Sequence, residues 1–208
     1  METNQALPAV ERHPWQPYLP PRPRVLMLGT FPPKRERWSM EFYYPNRIND
    51  MWRIMGLIFL EDSQALWLPE EKRFDLGAIK RLLDDKGIAL WDTGMAVRRL
   101  KDNASDKFLD IVEPIDLLGL LDAHPTIEAV VTAGEKASAV VASLTGCDVP
   151  ATGACNECRL GNHSFVHYRM PSSSRAYPLS LEKKAAAYAQ MFARLGLEIA
   201  QNSLPLQP

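Results

Sequence analysis

Short apolar runs alternating with amphipathic stretches predict an α/β fold, a three-layer α/β/α sandwich around a mostly parallel four-stranded sheet. Two observations carry this. The runs VLMLG (25–29), GIALW (87–91), IEAVVTAG (127–134) and SFVHYRM (164–170) are apolar on both alternate positions or nearly so, as strands covered on two faces are. Between them lie segments with apolar residues at helical spacing.

Each element follows in order. VLMLG ends in glycine, a strand closing on a turn. NDMWRIMGLIFL (49–60) has a helical apolar stripe, with Asn49 placed to cap it. FDLGAIKRLLDDKG (74–87) reads as a helix stopped by Gly87, and GIALW as the second strand. EPIDLLGLLDAHP (113–125) reads as a short helix, and IEAVVTAG as the third strand running into Gly134. EKASAVVASLTG (135–146) is helical, and SFVHYRM puts Phe165, His167 and Arg169 on one face of the fourth strand. In SLEKKAAAYAQMFARLG (180–196), Leu181, Ala185, Tyr188, Phe192 and Leu195 form one stripe, although Ser180 with Lys183 falls short of a capping box.

The composition bounds the function. With 208 residues, 46% of them hydrophobic, the chain suits a single domain with tails. The expected organisation is a proline-rich arm over 1–23, one domain over 24–200 and a tail over 201–208. A net charge of −1 excludes a global basic field, so a nucleic-acid site must draw on local cations. No apolar run reaches the roughly 20 residues of a membrane helix, and no apolar signal core opens the chain. Three cysteines cannot all pair, so a reducing, cytoplasmic location is expected.

In an open parallel sheet, ligands meet the protein beyond the carboxyl ends of the strands. Those positions carry GTFPPKRERWSMEFYYPNRIND, WDTGMAVRRLKDNASDK, TAGEKAS and MPSSSRAYPLS. They supply rings (Phe31, Phe42, Tyr43, Tyr44), amides (Asn46, Asn49), carboxylates (Asp92, Asp106), a serine run and cations. A flat ring with an edge-reading polar group suits a nucleobase, and serines before a helix suit phosphate. The same rings also suit a core, and the serines a solvated loop. Lys34, Arg35, Arg37, Arg98, Arg99, Lys101 and Lys107 fall near the same loops. No G-x-S-x-G elbow and no P-loop occurs, which argues against a serine hydrolase or a nucleotide-hydrolysing enzyme.

GTFPP, GIALWDTGMAVRR, PSSSRAYPLS and YYPNRINDMW together resemble motifs of the uracil-DNA glycosylase superfamily, in the same order and each after the expected strand. YYPNRINDMW is most similar to the hypoxanthine-DNA glycosylase branch. The resemblance spans about residues 24–196. It implies a cofactor-free DNA N-glycosylase of base excision repair whose partner is DNA containing a modified base, with no obligatory protein partner. A catalytically silent nucleic-acid-binding protein of the same fold is the alternative.

The resemblance implies Asn49 as the catalytic group, orienting water. It implies Phe31, Phe42, Tyr43 and Asp92 around the base, with stacking expected from only one of Phe42 and Tyr43. It implies Ser172, Ser173, Ser174, Arg175 and Tyr177 on DNA, with Tyr177 or Leu179 as wedge. The sequence departs from the superfamily at Phe31, where several branches have Asp or Asn, and at Met170, where many have histidine.

CNEC (155–158), with Cys147 upstream and His163 downstream, offers four zinc-type ligands, Cys147, Cys155, Cys158 and His163. The same segment also reads as a hairpin-like loop before the fourth strand, and the expectation is no metal.

Overall fold

The structure of the chain, a computed structural model, describes residues 8–101 and 106–200. The 201–208 tail and the first seven residues of the arm therefore lie outside the described residues. In chain order the elements are β1 (Val10–Arg12), β2 (Val25–Gly29), α1 (Met51–Leu60), β3 (Trp67–Leu68), β4 (Arg73–Phe74) and α2 (Leu76–Lys86). They continue with β5 (Ile88–Asp92), β6 (Gly94–Arg99), β7 (Leu109–Pro114), α3 (Leu117–Ala123), β8 (Ala129–Ala133), α4 (Glu135–Thr145), β9 (Cys155–Leu160), β10 (His163–Met170) and α5 (Leu181–Arg194).

The central sheet has the order β5-β2-β8-β10-β9, with the first four strands parallel and β9 antiparallel on β10. Alternation on β2 explains the layers. Val25 and Met27 face a core shared with α1, α2 and α5, whereas Leu26 and Leu28 face α3 and α4. All five β2 residues are buried, and burying each leucine contributes about 1.5–3 kcal/mol. The α/β/α sandwich expected from the sequence is thus present.

The helix ends obey local chemistry. The Asp75 carboxylate accepts from Ala78 N–H at 2.9 Å to start α2, and Gly87 at φ 66° ends it. Ser180 accepts from Lys183 N–H at 3.3 Å to start α5.

Three expectations need correction. The central sheet has five strands, because CNECRL is an edge strand rather than a loop; its alternation is masked by polar residues on the open face. Residues 94–99, expected to be loop, pair with β7 and β1 in a second antiparallel sheet. Pro114 closes β7, so the helix expected from residue 113 begins at Leu117, capped by Asp116. The proline-rich segment is extended, and it is also fastened down: Val10–Arg12 pair with Ala96–Arg98, and Tyr18 bridges Leu90.

Among the described residues, no helix is long and apolar enough to cross a membrane.

Candidate active site at the carboxyl ends of the strands

From β2 the chain moves to β5 on one side and later to β8 on the other. The carboxyl ends of β2 and β8 therefore form the topological switch point, where such sheets bind ligands. Gly29 ends β2 there. A methyl group on Gly29 would lie 2.3 Å from Asp92 Oδ1 and 3.5 Å from Tyr44 Oη, so only glycine lets these two polar groups converge on the strand end.

Tyr44 is held at φ 51°, a left-handed conformation that tyrosine rarely adopts, and its buried hydroxyl has no hydrogen-bond partner among the described residues. Burial pushes the phenol well above its usual pKa, reinforced by Tyr188, Asp92 and Asp106, so it stays a neutral donor. Thr93 Oγ1, next to Asp92, is likewise buried and unpartnered. Unsatisfied buried hydroxyls are costly, and that of Tyr44, which shares the end of β2 with the Asp92 carboxylate, marks a place suited to a polar ligand.

Asp92 is buried and its Oδ2 lies 2.9 Å from His13 Nε2. Asp106, on a short turn before β7, accepts from Thr30 Oγ1 at 2.7 Å. Burial raises the Asp106 pKa above the usual carboxylate range; the Thr30 hydrogen bond opposes this, Asp92 adds to it, and Lys136 and Arg99 oppose it. The site thus holds two carboxyl groups with different partners, His13 on Asp92 and Thr30 on Asp106.

The other wall is the serine loop after β10. Asn49 and Ser174 form an antiparallel bridge, and Asp50 N–H donates to Ser173 O at 2.9 Å. Beneath them Lys184, 1% exposed, sends Nζ to Asp50 Oδ2 at 2.9 Å and to Ser174 O at 2.8 Å. Arg175 Nε donates to the other Asp50 oxygen at 3.3 Å. This buried ion pair fastens the Asn49 segment to the serine loop and to α5. Asn49 Oδ1 accepts from Met51 N–H at 2.9 Å in a turn just before α1; the cap position expected of Asn49 falls to Asp50, whose carbonyl accepts the first helical bond and whose side chain caps nothing.

The residues expected to bind a base are distributed unevenly. Asp92 stands at the switch point. Phe42 is buried against Trp52 at 6.2 Å, and Tyr43 donates its hydroxyl to Gln16 O at 2.8 Å; both belong to the core. Phe31 packs with Val97 and Leu109 under the Arg99 guanidinium. The His13 ring packs against Phe31 and Tyr43, at centroid distances of 5.4 and 6.0 Å. Tyr44 and Asp106 stand in the sequence as strand-end residues without a role, and His13 and Thr30 were missed. Nothing local signals His13, which meets Asp92 across 79 residues of chain.

Ser172 Oγ accepts from Ser174 N–H at 3.2 Å and Ser174 Oγ from Ala176 N–H at 3.3 Å, so these hydroxyls shape the loop. Ser173 is buried, and Tyr177 is half-buried. Several expected cations are already matched: Arg35 with Glu41, Arg98 with Asp110, Arg99 with Glu11. An open cleft of about 380 Å³ beside the Asn49 segment has Arg37, Arg47 and Lys72 in its lining, with Glu36 as the one carboxylate, and Trp38 and Asn46 between them.

The four candidate zinc ligands do not assemble. His163 Nε2 pairs with Asp122 at 2.7 Å, and among the described residues no three His, Cys, Asp or Glu side chains could hold a metal ion.

The α/β/α sandwich, with its mostly parallel five-stranded sheet, is similar in fold to a solved structure. The solution NMR structure of a candidate uracil DNA glycosylase from Methanosarcina acetivorans matches this chain with a TM-score of 0.58 and 20% identity, over 90% of this chain and 99% of that one. No protein-family model and no curated protein sequence matches the chain.

Proposed function

We propose that this protein is a DNA N-glycosylase that hydrolyses the bond between deoxyribose and a deaminated or damaged base, of the hypoxanthine or uracil type. The observation that carries the reading is the convergence of Asp92 Oδ1 and Tyr44 Oη over Gly29, at the switch point of a uracil-DNA glycosylase-like fold. A carboxylate oxygen accepts from a base N–H, and a neutral phenol donates to a base carbonyl. Together they suit the N–H/C=O edge shared by hypoxanthine and uracil.

The reaction asks little covalent work of the protein. The C1′–N bond breaks with its electron pair leaving on the base, and a water oxygen adds to C1′ while its proton passes to solvent. Tyr44 stabilises the charge developing on the base. Asn49 keeps a lone pair on Oδ1 beyond the Met51 hydrogen bond, which can orient the water. Its attachment to the serine loop supports a shared job: Ser172, Ser174 and Arg175 bind the phosphates flanking the extruded nucleotide, and Tyr177 fills the stack it leaves. Extrusion costs a few kcal/mol, least at a damaged pair. YYPNRINDMW favours the hypoxanthine branch.

The packing of His13 against Phe31 and Tyr43 favours a second reading, a silent nucleic-acid-binding protein. Duplexes containing hypoxanthine, uracil or xanthine, incubated with the protein and then cleaved by alkali, separate the two. Strand breaks that vanish in Asn49→Ala support the glycosylase; duplex binding with no break at any lesion supports the silent protein.

A further inference from the structure

The segment that brings His13 into the site is clamped on both sides. Before it, Val10–Arg12 pair with β6 and His13 N–H donates to Met95 O at 2.8 Å. After it, Tyr18 and Leu90 exchange backbone hydrogen bonds of 2.9 Å each, and Gln16 O accepts from Tyr43 Oη at 2.8 Å. Trp15 adds a ring contact with Trp38 at 4.6 Å.

The imidazole between these clamps is only 3% exposed. Its Nδ1 lies 2.8 Å from Trp15 O and 3.2 Å from Trp15 N, so this nitrogen is anchored to the backbone of Trp15. Its Nε2 meets Asp92 Oδ2 at 2.9 Å. The ring lies at 24° to Tyr43 and edge-on to Phe31.

We propose that His13 is a positioning residue for base recognition: by engaging Asp92 Oδ2 it leaves Oδ1, over Gly29 and beside Tyr44 Oη, as the oxygen that reads the base. The amino-terminal strap is then part of the specificity apparatus rather than a tail. This inference rests on the glycosylase reading.

Two features make His13 a fixed part rather than a removable plug. Opening would break backbone hydrogen bonds on both sides of it. It would also leave the buried Asp92 carboxylate without its partner, a costly state.

The test uses full-length protein and duplexes carrying uncleavable 2′-fluoro-arabino hypoxanthine or uracil, with the undamaged duplex as reference. The wild type is expected to prefer a lesion duplex. His13→Ala loses that preference by about tenfold, a typical consequence of losing one charge-assisted hydrogen bond, while its affinity for undamaged duplex is unchanged. His13→Gln, whose amide N–H reaches toward Asp92, retains most of the preference, and thermal melting confirms that both variants fold. On cleavable substrate, His13→Ala lowers kcat/KM by a similar factor. A lesion preference equal to wild type in His13→Ala overturns the inference and leaves the glycosylase reading intact. Faster excision by His13→Ala also overturns it, because the ring is then a plug. A wild type with no preference for any lesion removes the glycosylase reading, and this inference with it.

Discussion

Replacing Lys184 by methionine isolates the device that joins the Asn49 segment to the serine loop. Lys184 Nζ makes two hydrogen bonds, to Asp50 Oδ2 at 2.9 Å and to Ser174 O at 2.8 Å, from a fully buried position. Methionine fills a similar volume, so little cavity forms, but the buried Asp50 charge is deprived of its nearer partner. Removing one member of a buried ion pair costs about 3–5 kcal/mol. Arg175 stays at 3.3 Å on the other carboxylate oxygen, but from a half-exposed side chain, so about 3 kcal/mol is expected. For a chain of this size that lowers Tm by roughly 6–12 °C. Urea denaturation gives the free energy. Asp50→Asn combined with Lys184→Met removes the stranded charge and recovers most of the loss, because burying no ions at all avoids the desolvation cost. A loss under about 1 kcal/mol in Lys184→Met, or a double variant as unstable as the single one, rules out a stranded Asp50 charge as the cause.

Gly29→Ala drives a methyl into the space 2.3 Å from Asp92 Oδ1, and about a hundredfold loss of excision with a folded protein is expected. Measured rates near wild type contradict the placement of Asp92 in the site. Arg37→Glu with Arg47→Glu reverses two cations of the cleft beside Asn49; duplex affinity falls and the log–log salt slope drops by about 0.9 for each phosphate no longer neutralised, as titrations between low and moderate salt report. His167 is buried, bonded through Nε2 to Thr132 Oγ1 at 3.0 Å, and burial lowers its pKa from 6.5 to about 4. The unfolded chain then binds more protons between these values, so stability is full above pH 6.5 and falls by up to about 3 kcal/mol as pH drops toward 4. Urea unfolding at several pH values checks this, with a shallower slope in His167→Gln.

The parts of the fold that were legible in the sequence are those buried on two faces. VLMLG reads as a strand because all five of its residues are buried, and each stands against its neighbours in a parallel register. GMAVRR escaped because its two arginines, one of them buried, look like a polar loop; only pairing with the LDIVEP strand reveals it. CNECRL, likewise polar, escaped at the sheet edge.

In the candidate site, the position of Asp92 was legible because the apolar run before it marks a strand that ends there. The roles of Phe42 and Tyr43 were not, since the same aromatic run serves as core or as stacking platform and only packing decides between them. Tyr44 has its meaning from an unpartnered hydroxyl above Gly29, which no sequence pattern displays. His13 and Lys184 act on residues 79 and 134 positions away, so their partners emerge only when the sheet is assembled.

Whether Asp92, Tyr44 and Asn49 serve one extruded nucleotide is decided by excision from a single-lesion duplex, read as alkali-labile strand breaks, with wild type, Asp92→Ala, Tyr44→Phe and Asn49→Ala side by side. Breaks at hypoxanthine or uracil are expected with the wild type, fewer with each of the first two variants, and none with Asn49→Ala. Breaks that persist undiminished in all three variants, or a wild type that cuts no lesion, would show that these side chains do not form a glycosylase site.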